Sequence, residues 1–346
     1  MAIVAVAGGT GGVGRAIVEQ LQLCGKHQFF VLGRKVTTPI VMIDTTHRGS
    51  YTSLFICHIH WIQADMMSFK SPSPALPGAP SFLEVDYENV DALVKVLEEH
   101  NIDTVISALN PESEKSSNAQ INLIAAADKS KTTQRFVPSE YFTPVDKNNL
   151  NESFGEQYRL ANANAIEKSP LEYIRIYAGL FMDYWAMPNV HSYMMPFSPG
   201  IDMSLRKAVV PGTGNDVMSM TYTIDLARFI VRLLDQDNWP KTASISGSDA
   251  TFNEIIALLE KYHNAKFEVI YDDVEKLKSG DATLVSIPDE SSGIPVALLK
   301  QMTVAFSLMV VSGVCALPKE GRLNDMFPEL RLTTVEELLE KAWAKS

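Results

Sequence analysis

Ala2-Ile3-Val4-Ala5-Val6-Ala7 runs straight into Gly8-Gly9-Thr10-Gly11-Gly12-Val13-Gly14. The apolar run is too short for a helix and fits a parallel strand buried on both faces. After the glycines, Ile17, Val18, Leu21 and Leu23 keep a helical spacing over residues 15–23. The order is therefore strand, glycine turn, helix. Gly8, Gly11 and Gly14 stand three apart. In that pattern the first glycine permits a tight turn, the second lets a pyrophosphate approach the backbone, and the third lets helix and strand pack closely. The N–H groups at the helix start then bind the phosphate. The alternative is a glycine-rich turn with no ligand; its position directly behind an apolar strand argues against that.

Residues 28–33 (Gln-Phe-Phe-Val-Leu-Gly) read as the second strand, and Arg34-Lys35 ends it. Arg34 lies twenty residues after Gly14, where an acidic residue would bind the ribose 2′-hydroxyl of NAD. A basic residue there suits a 2′-phosphate, which favours NADP (NADPH) as cofactor; a solvated basic pair at a strand end is the alternative. Residues 36–80 break the pattern. They number 45, lack periodicity and end in Ser71-Pro72-Ser73-Pro74-Ala75-Leu76-Pro77-Gly78-Ala79-Pro80. Connections in such folds usually take about 2–6 residues. The segment reads either as a surface excursion over the adenosine end of the cofactor or as translated intron sequence. Deleting residues 36–71 is expected to leave a soluble protein that still binds NADPH; a variant that cannot fold, or that has lost the cofactor, would contradict this. Cys57-His58-Ile59-His60 has no second ligand cluster, so no metal is expected.

Alternation resumes at residue 81. Strands are expected at 82–85, 102–109, 135–138 and 171–177, with helices at 90–97, 119–127 and 154–168 between them. Strands alternating with helices imply a doubly wound parallel sheet, whose ligands bind beyond the carboxyl ends of the strands. After Tyr177 the rhythm changes to aromatic residues, prolines and a run of methionines (Met182, Met187, Met194, Met195, Met203, Met218, Met220). These side chains read equally as an adaptable apolar pocket or as core. A helix is expected from Thr223 to Leu234, another capped by Thr251, a strand at 267–271, and a last helix starting at Thr333 or Thr334 with a capping box. Residues 302–317 are the most apolar stretch and read as a buried helix or strand pair rather than a membrane span.

The chain has 346 residues, 46% hydrophobic and 21% charged, with a net charge of −11. That balance describes an ordinary globular protein and argues against nucleic acid or an anionic membrane as partner. Three cysteines share no spacing, and no basic segment precedes the first strand, so a cytoplasmic location without disulfides or zinc is expected.

The chain resembles the NmrA-like and isoflavone-reductase-like family of atypical short-chain dehydrogenases, in its fungal form. The residues that carry the resemblance are the glycine turn, Arg34-Lys35, Val105-Ile106-Ser107-Ala108-Leu109 and Arg135-Phe136-Val137-Pro138-Ser139-Glu140-Tyr141. Gly179-Leu180-Phe181-Met182-Asp183-Tyr184-Trp185 and Leu323-Asn324-Asp325-Met326-Phe327-Pro328 complete it. The resemblance implies a Rossmann-like NADP-binding domain over residues 1–178, to which segments around 213–247 return. It implies a smaller substrate-binding region over 179–346. Cofactor contacts are expected at Gly8, Gly9, Thr10, Gly11, Gly12, Val13, Gly14, Arg34 and Lys35. Further contacts are expected at Ser107, Ala108, Leu109 and Asn110, at Pro138, Ser139 and Glu140, and at Ala178, Gly179, Leu180 and Phe181.

The chain also departs from the family. Where the family's reductases carry a lysine, this chain has Arg159, which cannot lose its proton usefully but can stabilise a developing oxyanion. Phe142 stands where the family usually has glycine. Tyr158 is followed four residues later by Asn162, so the Tyr-x-x-x-Lys pair of typical short-chain dehydrogenases is missing. Arg159, Tyr141 and Tyr158 are the candidate catalytic residues. Two functions compete: an NADP(H)-dependent oxidoreductase acting on a small aromatic or conjugated metabolite of secondary metabolism, and a non-catalytic NADP(H) sensor that signals to a protein partner.

Overall fold

The structure, a computed structural model, describes residues 1–34, 80–145, 155–287 and 295–344. Lys35 and the insertion at 36–80, apart from Pro80, lie outside the described residues. From the N-terminus run β1 (Ile3–Ala7), α1 (Gly12–Cys24), β2 (Gln28–Gly33), β3 (Ser81–Glu84) and α2 (Val90–Glu99). Next come β4 (Thr104–Ser107), α3 (Glu114–Lys129), β5 (Arg135–Val137), α4 (Glu156–Lys168) and β6 (Glu172–Tyr173). The strands form one parallel sheet in the order β3-β2-β1-β4-β5-β6. The order reverses between β1 and β4, which puts a crevice at their carboxyl ends.

Both faces of this sheet are covered. Val4 and Val6 of β1 pack with Ile17, Val18 and Leu21 of α1. Ala5 and Ala7 point the other way, into a core with Leu93 and Leu97 of α2 and Leu123 and Ile124 of α3. Two-sided burial is why β1 is apolar at every position rather than alternating.

The remainder begins with β7 (Arg175–Tyr177), β8 (Leu180–Phe181), α5 (Asp183–Ala186), β9 (Ile201–Asp202), β10 (Lys207–Pro211) and β11 (Met218–Thr221). It continues through α6 (Thr223–Leu233), β12 (Thr242–Ser244), β13 (Ser248–Ala250), α7 (Phe252–His263) and β14 (Glu268–Asp272). It ends with α8 (Val274–Lys278), α9 (Val296–Val311), α10 (Leu323–Met326) and α11 (Val335–Trp343). The single strand expected at 171–177 is divided. β6 pairs with β5, whereas β7 pairs in parallel with β12. β7 and β12 thus make a two-stranded sheet of their own next to the first, and α6 lays Leu226, Phe229, Ile230 and Leu233 into the core that α1 lines.

A second core lies between the sheets β14-β10-β9 and β13-β11-β8 and the helices α5, α7 and α11. Five of the seven methionines of that run are here: Met182, Met218 and Met220 are fully buried, with Met187 and Met203 packed against them. Thr251 and Thr334 each close a capping box, on α7 and α11, at the starts the sequence signals. The apolar stretch expected at 302–317 is a helix shifted toward the N-terminus. It ends at Val311, and only its Ser307 and Val310 are buried. Among the described residues no helix is long and apolar enough to cross a membrane, and no group of three or more His, Cys, Asp or Glu is placed to hold a metal.

Candidate functional site

The carboxyl ends of β1, β2, β4 and β5 share one edge of the sheet, and the glycine turn is its centre. Gly8 has φ +76°, and its carbonyl accepts the Gly11 N–H at 3.0 Å. A Cβ on Gly8 would stand 2.6 Å from the Ala108 carbonyl oxygen, and one on Gly14 would stand 2.0 Å from that of Gly8. These two glycines let turn, helix and β4 close on one another. No side chain caps α1. The N–H groups of Gly12, Val13 and Gly14 in its first turn therefore have no intrahelical acceptor. Gly9 is buried, Thr10 is exposed at the tip and Val13 is half-buried. Gly12 has a separate task. A Cβ there would meet Met194 Sδ at 2.7 Å and the Tyr193 carbonyl at 3.2 Å, so its missing side chain makes room for another part of the chain.

Arg34 is exposed at the end of β2, in an open cleft that it shares with Glu84, Val85 and Asp86. At the end of β4, Ser107 is buried and its carbonyl accepts the Tyr141 hydroxyl at 2.8 Å. Ala108 lies against Gly8, Leu109 and Asn110 are half-buried, and the Asn110 side chain accepts the Glu112 N–H at 3.2 Å.

The loop after β5 is held from several sides. The Ser139 N–H donates to Gln120 Oε1 of α3 at 2.9 Å, directly after the buried Pro138. The Glu140 carboxylate is fully buried and takes Arg175 Nε on both oxygens, at 2.9 and 3.0 Å, with a second guanidinium nitrogen at 2.7 Å. Arg175 also reaches Glu167 at 2.6 Å. The Glu140 side chain, expected at the cofactor, is thus committed to tying this loop to β7. Tyr141, expected to supply a proton or stabilise charge, gives its hydroxyl to Ser107; burial pushes its phenol well above the ordinary range, so it stays protonated. The Phe142 carbonyl accepts the Gly179 N–H at 3.0 Å. Gly179 has φ +64°, and a Cβ on it would stand 2.0 Å from the Ser219 carbonyl. The missing side chain at Gly179 is what lets this stretch close on β11.

Arg159 is buried on the first turns of α4. Its guanidinium pairs with Glu156 at 2.7 Å, donates to the Thr143 carbonyl and lies 5.6 Å over the Phe142 ring. The ring at the position where glycine is usual therefore has a partner in the arginine at the position where lysine is usual. Tyr158 is half-buried beside it. Its carbonyl accepts Asn162 Nδ2 at 2.8 Å, and the same nitrogen donates to Ser117 Oγ at 2.9 Å.

Several residues of this region carry no signal in the local pattern. Gln120 and Arg175 hold the loop after β5. Asp183, quoted above only as part of a motif, is fully buried and accepts the Thr223 N–H at 3.0 Å and the Ser192 hydroxyl at 2.6 Å. It caps α6 from outside, and burial raises its pKa against those hydrogen bonds. Glu19 of α1 meets His191 and Tyr193, more than 170 residues away.

Among curated proteins, an oxidoreductase named swnN of Metarhizium robertsii is 28% identical, covering 99% of this chain and 98% of its own. The oxidoreductase BOA1 of Botryotinia fuckeliana is 32% identical over 77% of this chain and 78% of its own. Among solved structures, the complex of leucoanthocyanidin reductase with NADPH from Vitis vinifera superposes with a TM-score of 0.67 at 18% identity, covering 99% of this chain and 100% of that one. The NmrA-like family matches residues 2–278, the whole of the first sheet and much of the second core. The chain belongs to the NmrA-like family.

Proposed function

We propose that the protein is an NADPH-dependent oxidoreductase acting on a small aromatic or conjugated molecule. The observation that carries this is the uncapped start of α1, held against Ala108 by two glycines that admit no side chain, with Arg34 at the end of the next strand. The first-turn N–H groups of Gly12 to Gly14 suit a pyrophosphate. With a net charge of −11 on the whole chain, these dipoles and Arg34 must provide the attraction locally. The backbone at 107–110 then borders a cofactor ribose or the adenine edge, and the stretch at Gly179–Phe181 the nicotinamide. When bound, NADPH supplies a hydride.

Arg159 orients the loop after β5 through Thr143. Of the two candidate tyrosines, Tyr158 is half-buried, whereas Tyr141 is buried with its hydroxyl held by Ser107. The oxidoreductase names of the fungal relatives support the reading. Incubation with NADPH and a panel of aromatic enones tests it, with consumption above the protein-free rate as the expected result. The sensor reading is favoured by one observation, the absence of a titrating amine at position 159. Tight NADPH binding with no consumption across the panel would support it.

Cofactor choice is tested separately. NADPH is expected to bind more tightly than NADH, and Arg34→Ala to remove most of the difference. A charge-assisted contact contributes about 1.5–3 kcal/mol. Arg34 is exposed and shares its cleft with two carboxylates, so the lower end, about tenfold, is expected. Equal affinities in the unmodified protein, by fluorescence titration, would refute the assignment.

A further inference from the structure

Residues 190–195 leave the substrate side and run along α1 toward its N-terminus. Val190 is buried in the second core, whereas Tyr193 packs against the first. The Ser192 hydroxyl donates to Asp183 at 2.6 Å, and the Tyr222 hydroxyl donates to the His191 carbonyl. On α1, Glu19 takes His191 Nε2 at 2.9 Å and the Tyr193 hydroxyl at 3.3 Å. Two helical turns nearer the N-terminus, about 10 Å along the axis, Met194 rests on Gly12. The segment therefore spans the two cores, and its apolar end lies beside the first-turn N–H groups.

We propose that residues 190–195 form a strap over the phosphate site of α1, latched by Glu19 to His191 and Tyr193, and that the latch sets how long NADPH stays bound. This rests on the cofactor reading above. Met194 walls off water on the pyrophosphate's open side, which strengthens the helix dipole's hold there. A dinucleotide leaving past Met194 requires the strap to lift, and the bonds to Glu19 oppose that. Glu19 and His191 are positioning residues, Met194 a contact.

The latch is pH-dependent with a definite sign. The hydrogen bond to Glu19 raises the His191 pKa above the ordinary imidazole value; burial opposes this, the charges of Glu19 and of Asp183 on α5 add to it, and Lys341 on α11 opposes it. Tyr193 beside it and Tyr222 before α6 complete the titratable groups facing the ring. The imidazolium–carboxylate pair is thus whole below the raised pKa and is lost as pH rises through it.

The test is a stopped-flow chase: protein loaded with NADPH is mixed with excess NADP+, and the loss of bound-NADPH fluorescence is followed from pH 6 to about 9. Release from the unmodified protein is expected to quicken roughly threefold to tenfold over that range, and His191→Gln, which hydrogen-bonds but does not titrate, to flatten the profile. Glu19→Ala and Met194→Gly are each expected to release NADPH about threefold to tenfold faster at pH 6, with Glu19→Gln in between. Met194 is half-buried outside both cores, so that variant keeps the test open should Glu19→Ala misfold. Unchanged or slower release in folded Glu19→Ala and Met194→Gly overturns the strap while the cofactor reading stands. No NADPH binding by the unmodified protein overturns both.

Discussion

Gly14→Ala is expected to disrupt the glycine turn and abolish NADPH binding together, whereas Gly11→Val is expected to abolish binding with the fold intact. The added methyl at position 14 would stand 2.0 Å from the Gly8 carbonyl oxygen and 2.8 Å from the Gly9 Cα. Both neighbours are backbone, so no rotamer change relieves the clash. Overpacking usually costs about 1–3 kcal/mol, and a backbone clash falls at or above the top of that range. Gly11 differs in kind. It has φ −83° and ψ 178°, a conformation any residue adopts, so valine there leaves the turn unstrained and blocks the approach of the pyrophosphate. Thermal melts of both variants, paired with NADPH titration, separate the two effects. A Gly11→Val protein that binds as before would show that the turn serves packing alone.

Arg159→Ala is expected to destabilise the protein by about 3–5 kcal/mol, the usual cost of taking one partner from a buried ion pair. Glu156 is 5% exposed and Arg159 7%, so water replaces the guanidinium poorly, and the Thr143 carbonyl loses its donor as well. The loop after β5 should loosen, lowering any turnover with NADPH. The pH–rate profile should lose no group near neutrality, because arginine does not titrate there. Arg159→Lys keeps the charge and restores the residue usual in the family's reductases. It is expected to recover most of the stability and to retain or raise the rate, though one ammonium cannot hold Glu156 and Thr143 in the same fork geometry. Melting curves and NADPH consumption against pH check this. An alanine variant as stable and as active as the parent would remove Arg159 from both roles.

Much of the site's frame was legible in the chain because it rests on local rules. An apolar strand followed at once by a glycine turn and a helical spacing needs no distant residue to be read, and β1, α1 and β2 stand where the sequence puts them. The capping boxes of Thr251 and Thr334 are equally local, each closing over three residues. The strand at 171–177 was legible as extended chain but not as a junction. Its first half bonds to residues 134–136 and its second to residues 241–243, and no local pattern records which neighbour a backbone will find.

The same limit governs the polar groups. The family resemblance singled out Glu140, Tyr141 and Arg159 as chemistry-bearing residues. Only the folded chain brought Arg175 to Glu140, Ser107 to Tyr141 and Thr143 to Arg159, and so turned the candidates into struts of the loop. Gly12 shows the division most directly. As part of a glycine run it reads as a phosphate contact, yet Met194, 182 positions later, is what its missing side chain admits. The sequence by itself determined the doubly wound sheet and the edge at which a dinucleotide would bind, because hydrophobic period and glycine spacing are properties of neighbours along the chain. Which side chains remain available at that edge, and what closes over it, was decided by the tertiary structure, because a hydrogen bond or a close approach depends on distance in space.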